Sequence, residues 1–141
     1  MQNDESNPNA WMFFANNNIK AAEILVDKIE LTGEVAFLCQ QAVEKYLKAF
    51  LVANKNAVKK THDLEKLYLE VKKIKDLNFD ETILEQLAML YVESRYQTGM
   101  EVLSAGVLPT QKKARSYLDF AKNVANTIKI ELEKPEKLGK A

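Results

Sequence analysis

Residues 34–53, EVAFLCQQAVEKYLKAFLVA, are apolar around most of a helical circumference and are interrupted mainly by Gln40, Gln41, Glu44, Lys45 and Lys48. A segment of this kind leaves water only by being surrounded, so it predicts a central helix with other elements packed on most of its sides. It does not predict a membrane span, because no apolar run in the chain approaches the roughly 20 residues a bilayer requires.

The flanking sequence supplies amphipathic partners. Asn7 before Pro8 is a helix start: a capping side chain is followed by a residue whose missing N–H is harmless at the first helical position. Trp11, Phe14, Ala15, Ala22, Leu25, Val26 and Ile29 then recur at three- and four-residue steps, and Thr32 and Gly33 interrupt the pattern. After the central helix, a link over 54–60 carries Lys55, Lys59 and Lys60. Thr61 or Asp63 caps a third helix bearing Leu64, Leu67, Tyr68, Val71 and Ile74. Asp80 caps a fourth helix, with Leu84, Leu87, Ala88 and Tyr91 in one stripe whose next turn lands on Arg95. Gly99, Gly106 and Pro109 mark 97–109 as a loop, and Thr110 caps a long last helix running through Tyr117, Ala121, Val124 and Ile128 to Leu132. No strand alternation or internal repeat is present, and 4 Gly and 3 Pro in 141 residues suit helices. The expected fold is all-α, an up-and-down bundle of about five helices. Residues 1–8 are expected to be a disordered N-terminus, 9–132 a single domain and 133–141 a flexible tail.

Charge narrows the function classes. The 20 Lys and Arg balance 20 Asp and Glu, which argues against a strongly cationic polyanion binder acting through its whole surface. The balance is global and not local: 76–95 holds five acids and one base, 109–130 five bases and one acid, so a basic outer face is expected on the last helix. Eighteen of the basic residues are Lys; the two arginines are Arg95 and Arg115. With one Cys (Cys39) and one His (His62), a disulfide framework and a Cys/His zinc site within one chain are excluded, and a reducing cytoplasmic setting is the default. The first ten residues carry Asp4 and Glu5 and have neither the basic nor the apolar region of a secretion signal.

No Gly-rich phosphate loop, GxSxG elbow, His cluster or DNA-specific motif appears, and no cofactor or metal is expected. Cys39 reads as a small buried hydrophobe with an inert thiol. Glu65, Glu70, Glu81 and Glu85 read as solvated helix faces. His62, beside Asp63 at a helix start, reads first as a structural residue. Arg95 stands out, because a guanidinium at the end of a core-facing stripe and next to a Gly-containing loop offers a planar fork to phosphate or carboxylate. An ion pair with a helix carboxylate is the competing use.

Three stretches together resemble the HEPN domain family: FLCQQAVEKYLKAFL (37–51), similar to its second-helix signature; THDL (61–64), similar to its third-helix start; and YVESRY (91–96), similar to the fourth-helix end that carries the family's key Arg. The likeness spans about 9–130. It implies an all-α four-helix bundle plus an extra helix, a homodimer, and a minimal nucleotidyltransferase as partner in a toxin–antitoxin-like module. It also implies that Arg95, with Tyr96 beside it, contacts nucleotide or RNA phosphate. Ribonucleases of the family pair that Arg with a His after four to six intervening residues. The corresponding positions here are Met100, Glu101 and Val102, so the standard motif is absent and the chain is expected to bind rather than cleave. Two alternatives remain. One is a metal-independent ribonuclease toxin with a substitute base, His62 and Glu101 being the catalytic candidates along with Tyr96; the other is a purely structural partner subunit.

Overall fold

The computed structural model describes residues 4–96 and 108–134, with side chains described for 5–90 and 108–134. Five α-helices account for most of them: α1 (Pro8–Leu25), α2 (Thr32–Ala53), α3 (Leu64–Ile74), α4 (Glu81–Tyr96) and α5 (Gln111–Leu132). No strand occurs among the described residues.

The helix starts follow the capping chemistry of the sequence. Asn7 Oδ1 accepts from the Asn9 N–H at 2.9 Å with Pro8 in the first position, Asp63 Oδ1 accepts from Glu65 and Lys66 N–H, Asp80 Oδ1 from Thr82 and Ile83 N–H, and Thr110 Oγ1 from Lys113 N–H. Helix α2 is the hub, with Tyr46, Leu47 and Phe50 fully buried. Against it α1 presents Ala15, Ile19 and Ala22, with Val26 just past its end, and the two alanines let the antiparallel pair approach closely; α3 presents Leu64 and Leu67, α4 Leu84 and Leu87, and α5 Val124 and Ile128.

Several expectations shift. The break after α1 falls over 26–31, where Ile29–Leu31 form a 3-10 turn, so Ile29 leaves the helical register and is 72% exposed. Phe14 flanks the 15–19–22–26 stripe and is 53% exposed. Thr32 and Gly33 open α2 rather than precede it. Gly33 serves close approach: a Cβ there would lie 2.9 Å from the Leu108 side chain. Asp4–Ser6 make one 3-10 turn, and Trp11 Nε1 donates to the Glu5 carbonyl at 2.8 Å. The basic face expected on α5 is partly neutralised, because Arg115 pairs with Asp27 and Lys122 with Glu23 on α1.

Two connections fix the lower half of the bundle. Buried Glu131 of α5 accepts from Lys75 at 3.0 and 3.1 Å and from Lys134 at 2.8 Å. In the α3–α4 link, Asn78 takes a left-handed conformation (φ 61°) with its N–H held by Asp76 Oδ1 at 2.9 Å, and the Phe79 N–H donates to Tyr68 Oη at 3.0 Å. Asn tolerates this backbone better than most residues.

Candidate functional site

Helix α2 turns a short polar row into its otherwise apolar surroundings. Gln40, Glu44 and Lys48 succeed one another at four-residue steps and are 0%, 4% and 4% exposed. Beside them Lys45 Nζ donates to Asn18 Oδ1 at 2.9 Å and to Gln41 at 3.4 Å, and desolvation pulls its pKa below the ordinary lysine value. A charged pair in such a place persists only when each member has partners.

Glu44 is the centre of the arrangement. One carboxylate oxygen, Oε2, accepts from Lys48 Nζ at 3.0 Å and lies 2.8 Å from His62 Nδ1. The Lys48 ammonium also stands 5.4 Å from the centre of the Trp11 ring, a cation–π contact that ties the start of α1 to the row. The second oxygen, Oε1, and the neighbouring Gln40 Nε2 are buried and have no hydrogen-bond partner among the described residues. A carboxylate can only accept, so Nδ1 of His62 is the donor in this contact.

His62 reaches α2 because the backbone on each side of it is pinned. Thr61 Oγ1 accepts from the Asp63 N–H at 3.0 Å, and Asp63 in turn caps α3. The ring lies at the mouth of the polar row, its side chain 52% exposed while that of Glu44 is 6% exposed. An imidazole oriented by a carboxylate and open to solvent can bind an anion when protonated or take a proton at Nε2 when neutral.

Lys72 near the end of α3 pairs with Glu81 at the start of α4 at 2.9 Å, so the two helices run antiparallel from their link. With 16 residues against 11, α4 runs beyond the first residue of α3 by about 7 Å, at about 1.5 Å per residue. Arg95 occupies that overhanging last turn. The side chains of 91–96, Arg95 and Tyr96 included, lie outside the described residues, as do Met100, Glu101 and Val102.

The other sequence candidates are ordinary or inert. Glu70 and Glu81 are engaged by Lys73 and Lys72 at 3.0 and 2.9 Å. Cys39 is fully buried, and burial, with a smaller contribution from Asp119, pushes its thiol to about 12. Among the described residues, no three His, Cys, Asp or Glu side chains gather as a metal site, and no helix is long and apolar enough to cross a membrane. Glu44 is the residue that sequence reasoning passed over. Its available signal was an acid with a Lys four residues on inside a segment otherwise fit for burial.

No curated protein and no solved structure matches the chain significantly. A family model does: that of the HEPN domain, over residues 9–131, from the first turn of α1 to the last turn of α5. With the helical bundle, the match over nearly the whole chain places this protein in the HEPN domain family.

Proposed function

We propose that the protein is a HEPN homodimer that holds a nucleotide or RNA through Arg95 and Tyr96 and acts in the cytoplasm with a minimal nucleotidyltransferase partner, as one half of a toxin–antitoxin-like module. What supports the reading is that Arg95 falls in the last turn of α4, a helix joined at its start to the end of α3 by the Lys72–Glu81 pair. A guanidinium there supplies the bidentate donors that a phosphate needs, with cationic Lys48 and titratable His62 on neighbouring elements. Met100, Glu101 and Val102 stand where the family's ribonuclease histidine would be, which favours binding over cleavage.

A dimer would cover Phe13 and Phe14, stacked edge to face on α1 and 60% and 53% exposed; sedimentation at micromolar concentration tests that part. A small nucleotidyltransferase with a Gly-Ser and paired-Asp pattern in the adjoining reading frame is expected. Equilibrium binding of labelled ATP and of short RNA to wild type and Arg95→Ala tests the site: the variant should lose both, and equal affinity in the two proteins removes Arg95 from the function.

One observation favours a second reading. The Glu44–His62 contact at 2.8 Å prepares Nε2 to take a proton from a ribose 2′-hydroxyl, so His62 is the substitute base if RNA is cut. Cleavage by purified protein in EDTA, abolished by His62→Ala, would support it; intact RNA under those conditions would sink it.

A further inference from the structure

On the outer side of α3, Lys66, Leu69 and Lys73 follow one another at three- and four-residue steps, so two ammonium groups bracket a leucine on one face over about 10 Å. Leu69 is 58% exposed, although Leu64 and Leu67 of the same helix are fully buried. Beside this stripe runs a groove of about 560 Å³, with Leu67 at its base and Lys59 and Thr61, from the link before α3, as its far wall. The groove is thus aliphatic below and cationic along both rims, and no aromatic ring lines it. Its one acid is Glu70, which accepts from Lys73 Nζ at 3.0 Å and lies 3.8 Å from Lys59 Nζ; the Lys73 hydrogen bond holds its carboxyl below the usual carboxylate range. On the opposite side of Leu69 the surface changes sign, where Glu65, Glu81 and Glu85 line a hollow of about 120 Å³ that Leu69 also borders.

An occupant of the groove needs an apolar residue to cover Leu69 and anionic groups to reach the lysines on either side. A nucleic acid strand meets these needs badly. It carries a charge at every residue, so a phosphate would fall on Glu70, and single strands gain much of their affinity by stacking bases on aromatic rings. A helix can leave the position over Leu69 and Glu70 uncharged and set carboxylates one turn to either side. A ridge of that kind complements a stripe at i, i+3 and i+7. The acidic hollow beyond Leu69 repels such a helix from the α4 side and keeps it over Lys59.

We propose that this groove docks an acidic amphipathic helix of a partner protein, with an apolar side chain seated on Leu69 and carboxylates paired with Lys66 and Lys73. The surface is separate from Arg95, and its role stands whether or not Arg95 holds a nucleotide. The 11 residues of α3 span about 16 Å, so about three turns of the partner are engaged. Ion pairs at such exposed positions each contribute modestly and weaken with salt, so the apolar contact and the charge spacing together set the affinity.

The test is anisotropy of a labelled, lactam-stapled helical peptide of about 15 residues, in which a leucine is flanked one turn away on each side by glutamates. It is titrated at low and high KCl with the full-length wild type, Lys66→Ala/Lys73→Ala, Leu69→Ser and Glu70→Gln; a peptide with glutamine for glutamate is the control. Wild type should saturate below about 1 mM at low salt and bind more weakly at high salt. The double lysine variant should bind about fivefold or more weakly, and Leu69→Ser about threefold or more weakly. Glu70→Gln should bind more tightly. Lys66, Leu69 and Lys73 are exposed, so the melting temperatures of these variants should match the wild type. Absence of saturation in wild type, unchanged affinity in the double lysine variant, or equal binding of the glutamine peptide overturns the proposal. Two other results overturn it by giving the groove to a different occupant: a single-stranded RNA that binds more tightly than the peptide and is lost with the same lysines, or peptide-free protein that sediments as a smaller species once those lysines are removed.

Discussion

Replacing Glu44 by Ala removes the shared partner of two cations that differ in their access to water. His62 is half exposed and recovers hydration, so its loss of a partner contributes little. Lys48 has a side chain only 5% exposed, and the change leaves its ammonium in a nearly closed site beside the Trp11 ring. Removing one member of a buried ion pair typically destabilises a protein by about 3–5 kcal/mol, mostly because the remaining charge stays desolvated. In a chain of this length such a loss lowers the melting temperature by roughly 10 °C or more. Replacing both members with apolar side chains of similar volume, Glu44→Leu with Lys48→Met, removes the stranded charge and should restore stability to within about 1 kcal/mol of wild type or above it. Urea unfolding of the wild type, each single variant and the double variant provides the comparison, with Lys48→Met exposing the cost of leaving Glu44 with the half-exposed His62 as its partner. A Glu44→Ala loss below about 1 kcal/mol, or a double variant as unstable as the single ones, would refute the argument that burial rather than attraction dominates this pair.

Two further outcomes follow from other groups. Hydrogen bonding from Lys134, reinforced by Lys75, lowers the Glu131 pKa from its ordinary 4.5; its stabilisation is therefore complete above that value and is lost as pH falls through the folded pKa, so the urea midpoint should drop between neutral pH and about pH 3 by more in wild type than in Glu131→Gln. Equal drops in the two proteins would contradict this. Cys39, buried and pushed to about 12, should react with a thiol reagent at pH 8 only as fast as the protein unfolds, and labelling at the rate of a free thiol would contradict its burial.

Sequence reasoning was strongest where the chemistry is local. Asn7, Asp63, Asp80 and Thr110 each place their capping oxygen within three residues of the N–H groups they satisfy, so four helix starts were legible from spacing alone. The burial of α2 was legible for a similar reason: its apolar circumference leaves few alternatives. The stripe on α1 was read only in part, because Ile29 and Phe14 look alike to a helical template, and only the exact place where the helix ends decides that Ile29 falls off it. Within the candidate site, Arg95 and His62 were visible as rare residue types in a Lys-rich chain. The relation of His62 to Glu44 was not, because the contact joins residues 18 apart through a linker with no helical period of its own.

The left-handed Asn78 lies about as far from the candidate site as the length of α4 allows, yet it bears on it as a pivot bears on the tip of a lever. Sixteen residues give an arm of about 24 Å, so a swing of about 10° at the pivot would carry the last turn, with Arg95 on it, about 4 Å sideways. That is more than the tolerance of a bidentate contact to phosphate. Asp76, Tyr68 and Phe79 clamp the pivot through hydrogen bonds, so the direction in which α4 leaves the link is held at that end. A β-branched residue at position 78, which resists the left-handed backbone, would thereby shift the last turn of α4 without coming near it.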